Sequence, residues 1–266
     1  MRGALKLLTL ATLVCAATMQ SAVTNTNPAF RPPDETLIPQ GRFVYERNCA
    51  VCHGKYGDGR GDMGLTVKPR PRNFNKAVFK FRSTPPGFLP TDDDLAHTIR
   101  QGLSGTAMPS FQNLSDRDIA AVAQYVKTFS SRWNKPANYA PPMVLPDEPA
   151  WFDQPKTAST HANKGGLLFL QACAACHGPQ GDGHGPSAAT LVDAWDEPAL
   201  PPDLRHPVIR SGAGRRDVFR ALTTGLDGTP MPSFRESFSE EERWQLVAFL
   251  ERLRKENHSK EPKQNR

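Results

Sequence analysis

The sequence predicts an all-α protein made of two tandem helical units. Three observations carry that reading. The chain repeats itself: Cys49 and Cys173 lie 124 residues apart, and Met108 and Met231 lie 123 apart. Towards the end of each half, apolar residues recur at helical spacing. No stretch alternates apolar and polar residues as a half-buried strand would. A length of 266 residues suits two domains of about 100–150 residues each.

The elements follow in order. Residues 1–22 read as a signal peptide. Arg2 and Lys6 precede a mostly apolar stretch from Leu7 to Ala17, and small residues follow. That is the layout of an export signal, too short to span a bilayer comfortably. Ala17 and Ala22 are the cleavage candidates. A lipid on Cys15 or an uncleaved anchor are the rivals, so any membrane attachment is expected through the N-terminus alone. The first unit is expected over 36–132. Its first helix runs from about Pro39 to Cys49, with Gly41 and Tyr45 on one face. A middle helix starts near Thr91, where Asp94 completes a capping box, and ends near Gly102. Ser115 with Asp118 caps the last helix, whose apolar residues Ile119, Val122, Ala123 and Val126 keep helical spacing.

A linker is expected over 133–163. Six prolines between Pro136 and Pro155 favour an extended strap. Trp133, Tyr139, Trp151 and Phe152 predict that the strap packs on the units. The second unit, 164–255, repeats the first. Its first helix starts near Lys164 and places Gly165 and Phe169 on one face. Its middle helix runs from about Gly214 to Gly225. Ser239 with Glu242 caps the last helix, which carries Leu246, Val247, Leu250 and Leu253. The charged tail, 256–266, is expected to be disordered.

Composition excludes two function classes. With 38% hydrophobic and 23% charged residues, the chain is not a polytopic membrane protein. A net charge of +6 raises the question of nucleic acid, but no run of five Lys or Arg occurs, so no basic stripe is present. Six cations cluster between the ligand motifs of the first unit: Lys68, Arg70, Arg72, Lys76, Lys80 and Arg82. They read equally as a docking face for an acidic redox partner or as ordinary surface charge with cofactor carboxylates among its partners.

The cysteines point to the chemistry. Of five, Cys15 lies in the leader and the other four form two C-x-x-C-H motifs, Cys49–Cys52–His53 and Cys173–Cys176–His177. A disulfide framework is one reading; a redox pair does not require the histidine and would need a βαβ context; a four-cysteine zinc site would leave both adjacent histidines unexplained. C-x-x-C-H is the attachment signature of c-type haem. Two thiols three residues apart reach the two vinyl groups of one macrocycle, and the next histidine falls beneath the ring. Two covalently bound haem c groups follow, one per unit.

The repeat supplies the opposite ligands. Gly105, Thr106, Met108 and Phe111 match Gly228, Thr229, Met231 and Phe234. A methionine thioether favours reduced iron. Met108 opposite His53 and Met231 opposite His177 are therefore the expected axial pairs. Met63, Met143, His97, His161, His184, His206 and His258 lack repeat partners and read as surface or second-sphere residues. Asp58 and Asp182 read as turn residues rather than calcium ligands.

With these motifs in place, each unit resembles the class I cytochrome c family, and the whole resembles the bacterial di-haem cytochromes c. The resemblance covers about residues 41–130 and 165–254. It implies that Tyr125 and Phe249 sit where the first and last helices cross. It implies that a proline carbonyl, from among Pro69, Pro71, Pro201 and Pro202, receives each axial imidazole N–H. Two ligated irons with no open position suit one-electron transfer and not catalysis. The expected protein is a periplasmic carrier working between periplasmic or membrane-bound redox partners. A haem subunit of a larger oxidoreductase complex is the alternative, followed by a di-haem enzyme such as a peroxidase or thiosulfate-oxidising cytochrome.

Overall fold

The computed structural model describes residues 27–206, 210, 212 and 214–260. The expected signal peptide lies outside the described residues. The first unit contains α1 (Ile38–Asn48), α2 (Ala50–His53), α3 (Asp92–Gln101) and α4 (Asp116–Lys127). The second repeats the order with α5 (Pro155–Ala172), α6 (Ala174–His177), α7 (Arg215–Thr224) and α8 (Glu240–Lys260). The described residues form no sheet; Val192 and Pro198 make an isolated antiparallel bridge.

Local chemistry sets the helix ends. The Thr91 hydroxyl accepts from the Asp94 N–H at 3.1 Å, and the Asp94 carboxylate accepts from the Thr91 N–H at 2.9 Å. Ser115 and Ser239 cap α4 and α8 by accepting from the N–H groups of Asp118 and Glu242. Gly102 and Gly225, both at φ +66°, stop α3 and α7.

The first and last helices of each unit cross at a glycine. Gly41 of α1 lies on the Ala121 backbone of α4, and Gly165 of α5 lies on the Gln245 backbone of α8. The aromatic partners meet there as expected, Tyr45 with Tyr125 at 5.3 Å and Phe169 with Phe249 at 5.0 Å. Apolar cores form around the crossings. Val44, Tyr45, Val122 and Val126 are buried in one, and Phe169, Phe219, Trp244 and Val247 in the other.

One tie is repeated with its charges exchanged. The wholly buried Lys127 near the end of α4 pairs with Asp92 at the start of α3. At the matching positions Glu251 of α8 pairs with Arg215 of α7 at 2.7 Å. Lys127 also donates to the Arg31 carbonyl at 3.2 Å. Lys127→Met is expected to destabilise the first unit by about 1–3 kcal/mol in denaturant unfolding. That is less than the roughly 3–5 kcal/mol of a fully buried pair, because the Asp92 side chain is 42% exposed and can rehydrate.

Three boundaries differ from the sequence reading. Helix α5 starts at Pro155, well before Lys164, because proline's fixed φ and missing N–H suit the first helical position. The linker carries short 3-10 turns at Ser131–Asn134, Pro136–Asn138 and Ala150–Asp153 rather than a continuous extended strap. It does pack on the units: Trp133 is fully buried, the Met143 N–H donates to the Ser83 carbonyl at 2.8 Å, and Phe152 meets Trp244 at 5.9 Å. Helix α8 continues through Lys260, so residues 256–260 are helical and not disordered. Ion pairs one turn apart, Lys255 with Glu251 and Arg252 with Glu256, support that extension. Residues 261–266 lie outside the described residues.

Candidate functional site

Each C-x-x-C-H segment folds as the end of one helix followed by a single further turn. The Cys49 N–H donates to the Tyr45 carbonyl at 2.8 Å, and the His53 N–H to the Cys49 carbonyl at 2.9 Å. In the second unit the bonds are Cys173 to Phe169 and His177 to Cys173, both at 2.8 Å. The turn places the two cysteines of each motif, three residues apart, on one face. All four are free, half-buried thiols. Burial first, and the neighbouring cysteine second, push the Cys49 thiol up to about 12 and the Cys173 thiol up to about 11. Neutral thiols of this kind are poor zinc ligands. Among the described residues no three His, Cys, Asp or Glu side chains converge as a metal site. The zinc alternative therefore loses its geometry, and no disulfide joins the four cysteines.

The histidines are held through one ring nitrogen. His53 Nδ1 lies 3.1 Å from the Arg72 carbonyl. Burial drives its pKa down, so the ring is neutral. A carbonyl can only accept, so Nδ1 carries the proton and Nε2 keeps its lone pair. The carbonyl belongs to Arg72, not to Pro69 or Pro71. The interaction uses only backbone, so the side chain at that position need not be proline. In the second unit burial likewise lowers the His177 pKa, and the Pro202 carbonyl acts on its Nδ1. No partner stands within full hydrogen-bond geometry there, which leaves Nδ1 buried and unpaired.

The two methionine loops are nearly superimposable in their bonding. The Leu103 N–H donates to the Met108 carbonyl and the Leu226 N–H to the Met231 carbonyl, each at 3.1 Å. Thr106 and Thr229 donate through their hydroxyls to Leu103 and Leu226 carbonyls, each at 2.7 Å. The same hydroxyls accept from the Met108 and Met231 N–H groups at 3.1 and 3.3 Å. Ser110 and Ser233 tie each loop back to its middle helix. Both methionines are half-buried, and Met231 packs on the same core as Cys173. Thr106 and Thr229 were not singled out from the sequence. Their signal was legible as a threonine two residues before the methionine in both copies.

Asp58 and Asp182 close turns, accepting from the N–H groups of Arg60 and His184 at 3.0 Å. Much of the cation cluster is engaged by the second unit. Lys68 and Arg70 pair with Glu197 of the second unit at 3.3 and 2.9 Å. Arg72 stacks over Trp195 at 4.5 Å, and Arg82 pairs with Asp227 at 2.8 Å. Burial lowers Lys80 to about 8, with Arg72 and Arg210 adding to the effect. Of the six, Lys76 is left exposed without an ion pair. Lys68, Arg70, Arg72 and Arg82 join one unit to the other.

These donor sets fit covalent haem: reduced thiol pairs on one turn, a neutral imidazole, its tautomer fixed at His53, and a thioether on an ordered loop. Comparison with known proteins agrees. Residues 36–126 and 160–250 each match the family described as cytochrome C oxidase, cbb3-type, subunit III. The chain belongs to this family of c-type cytochromes.

Among other members of the wider group, the cbb3-type cytochrome c oxidase subunit FixP of Azorhizobium caulinodans is 30% identical over 149 residues. That match covers 54% of this chain and 40% of FixP. Cytochrome c oxidase subunit 2 of Alkalihalophilus pseudofirmus is 33% identical over 101 residues, 36% of this chain and 27% of the relative. The cbb3-family chain thus spans less than half of these curated relatives. A solved chain of the Kuenenia stuttgartiensis reducing HAO-like protein complex superposes with a TM-score of 0.73 at 33% identity. It covers 80% of this chain and 95% of its own. Family membership implies covalently bound haem c and a role in electron transport. Among the described residues no helix is long and apolar enough to cross a membrane.

Proposed function

We propose that the protein is a di-haem electron carrier of the periplasm. Cys49 and Cys52 would hold one haem c and Cys173 and Cys176 the other, as thioethers. His53 with Met108, and His177 with Met231, would be the axial ligands. The observation that carries the reading is the coupling, twice in one chain, of a C-x-x-C-H turn with an identically bonded methionine loop.

Bound haem would supply a reversible one-electron couple. The protein's own contribution is to fill both axial positions, so that no substrate need bind the iron. The Arg72 carbonyl fixes the His53 tautomer and raises its basicity as a ligand. The threonine-braced loops hold each thioether where it favours the reduced state. Apolar cores beside the motifs limit the solvent that must reorganise.

A second reading has its own support. The relatives are oxidase subunits, and the structural neighbour is part of a complex. A docked haem subunit of a respiratory or other oxidoreductase complex would use the same two sites. Potentiometric titration with visible spectra tests the core claim. Two low-spin, high-potential steps are expected, and a high-spin spectrum from both halves would sink it. Stable co-purification with an oxidoreductase would favour the subunit reading over the free carrier.

A further inference from the structure

The two methionine loops match in sequence and internal bonding, yet their surroundings differ. In the first unit the turn before Met108 carries Ser104 and Gly105, both exposed. A Cβ added at Gly105 would meet nothing within 4 Å. In the second unit the matching residues are Asp227 and Gly228, and they are gripped by the first unit. The Arg82 guanidinium, its side chain wholly buried, pairs with Asp227 at 2.8 Å. It also donates to the Thr224 carbonyl at 3.0 Å, at the end of α7. The other Asp227 oxygen accepts from the Gly87 N–H at 2.8 Å. A Cβ at Gly228 would lie 2.8 Å from Trp195 and 3.0 Å from Val78. Trp195 is itself covered by Arg72 at 4.5 Å.

From this asymmetry we infer that Arg82 is a positioning residue for the Met231 loop, and that the first unit, which lacks a clamp, is the one whose methionine yields to an outside ligand. The inference rests on the proposed His/Met ligation. For a small neutral ligand to reach an iron, the thioether must first swing away with its loop. The ligand's lone pair would then replace the thioether at a bound haem, with no change of oxidation state. Apparent affinity falls in proportion to the population of the methionine-off state. In the second unit that state requires breaking the Arg82–Asp227 ion pair and the Gly87–Asp227 hydrogen bond, both across the units. In the first unit the loop's own bonds and its ties to α3 oppose it, with no contact from the other unit among the described residues. The chain thus carries one locked centre and one that can open, which would give the first unit a capacity for small-ligand binding that the second lacks.

Imidazole titration of the oxidised holoprotein tests this, followed by loss of the weak far-red sulfur-to-iron band. Met108→Ala leaves only the second unit's band to follow, and Met231→Ala only the first's. The second unit should bind imidazole at least about tenfold more weakly than the first. Arg82→Gln, in the Met108→Ala background, should remove most of that difference, and Asp227→Asn should do the same if the Gln variant folds poorly. Arg82→Lys should restore part of it. Equal affinities in the two units, or an Arg82→Gln affinity unchanged in the second, would overturn the clamp. A far-red band missing from the untreated protein would overturn the ligation and the clamp with it.

Discussion

Gly165→Ala should unfold the second unit or cost it more than about 3 kcal/mol, at the upper end of overpacking penalties. Gly165 sits at the crossing of α5 and α8, where an added Cβ would overlap the Gln245 carbonyl oxygen. That oxygen belongs to helix backbone and cannot rotate away. Relief requires the two helices to separate, and with them the contact of Phe169 with Phe249 at 5.0 Å. Helix α5 leads directly into Cys173, so separation also displaces the thiols and His177. The neighbouring Gly166 is the control. Its added Cβ would lie 3.2 Å from the Phe249 ring, a side chain that can shift. Alanine's better helix propensity, about 1 kcal/mol over glycine, offsets that crowding, so Gly166→Ala should be close to neutral. Denaturant unfolding of the holoprotein, followed separately in each haem's spectrum, distinguishes the two. A Gly165→Ala protein of ordinary stability would mean the crossing is looser than its geometry.

Met231→Ala should convert one haem and leave the other untouched, and Met108→Ala should convert the other. Losing the thioether removes the soft ligand that favours reduced iron. The affected potential should fall on the order of 0.1 V or more, within the roughly 0.8 V that axial ligands command. About half of the far-red absorption should disappear in each variant. The two steps of a potentiometric titration then identify which centre belongs to which unit. Spectra unchanged in both variants would show that the methionines only fill space, the commoner role of methionine in a core.

Much of the site was legible because its parts are local. The cysteines and histidine of each motif occupy one turn, and the methionine loops are braced by threonine and serine within about a turn or two. The capping residues Thr91, Ser115 and Ser239 lie three positions from their partners. Pro155 was harder to read. A proline marks both an extended strap and a helix start, and only the packing of His161 on Trp151 at 4.1 Å and the burial of Ala162 show that a helix follows. The carbonyl partner of His53 was hidden for another reason. A backbone group leaves no trace in residue type, so Arg72 could stand where a proline was expected.

The sequence by itself determined the helical class, the repeat, the haem motifs and the placement of the methionines. Each is written in spacings short enough for local geometry to enforce. Only the tertiary structure decided where the charges of residues 68–82 go and which methionine loop is held by the other unit. Arg82 and Thr224 are 142 residues apart. No local spacing relates them, and their meeting follows from how two folded surfaces bury charge against each other. The same repeat that made both loops readable concealed their difference, because similar segments, with Ser104 in one and Asp227 in the other, acquire different mechanics when one is covered and the other left open.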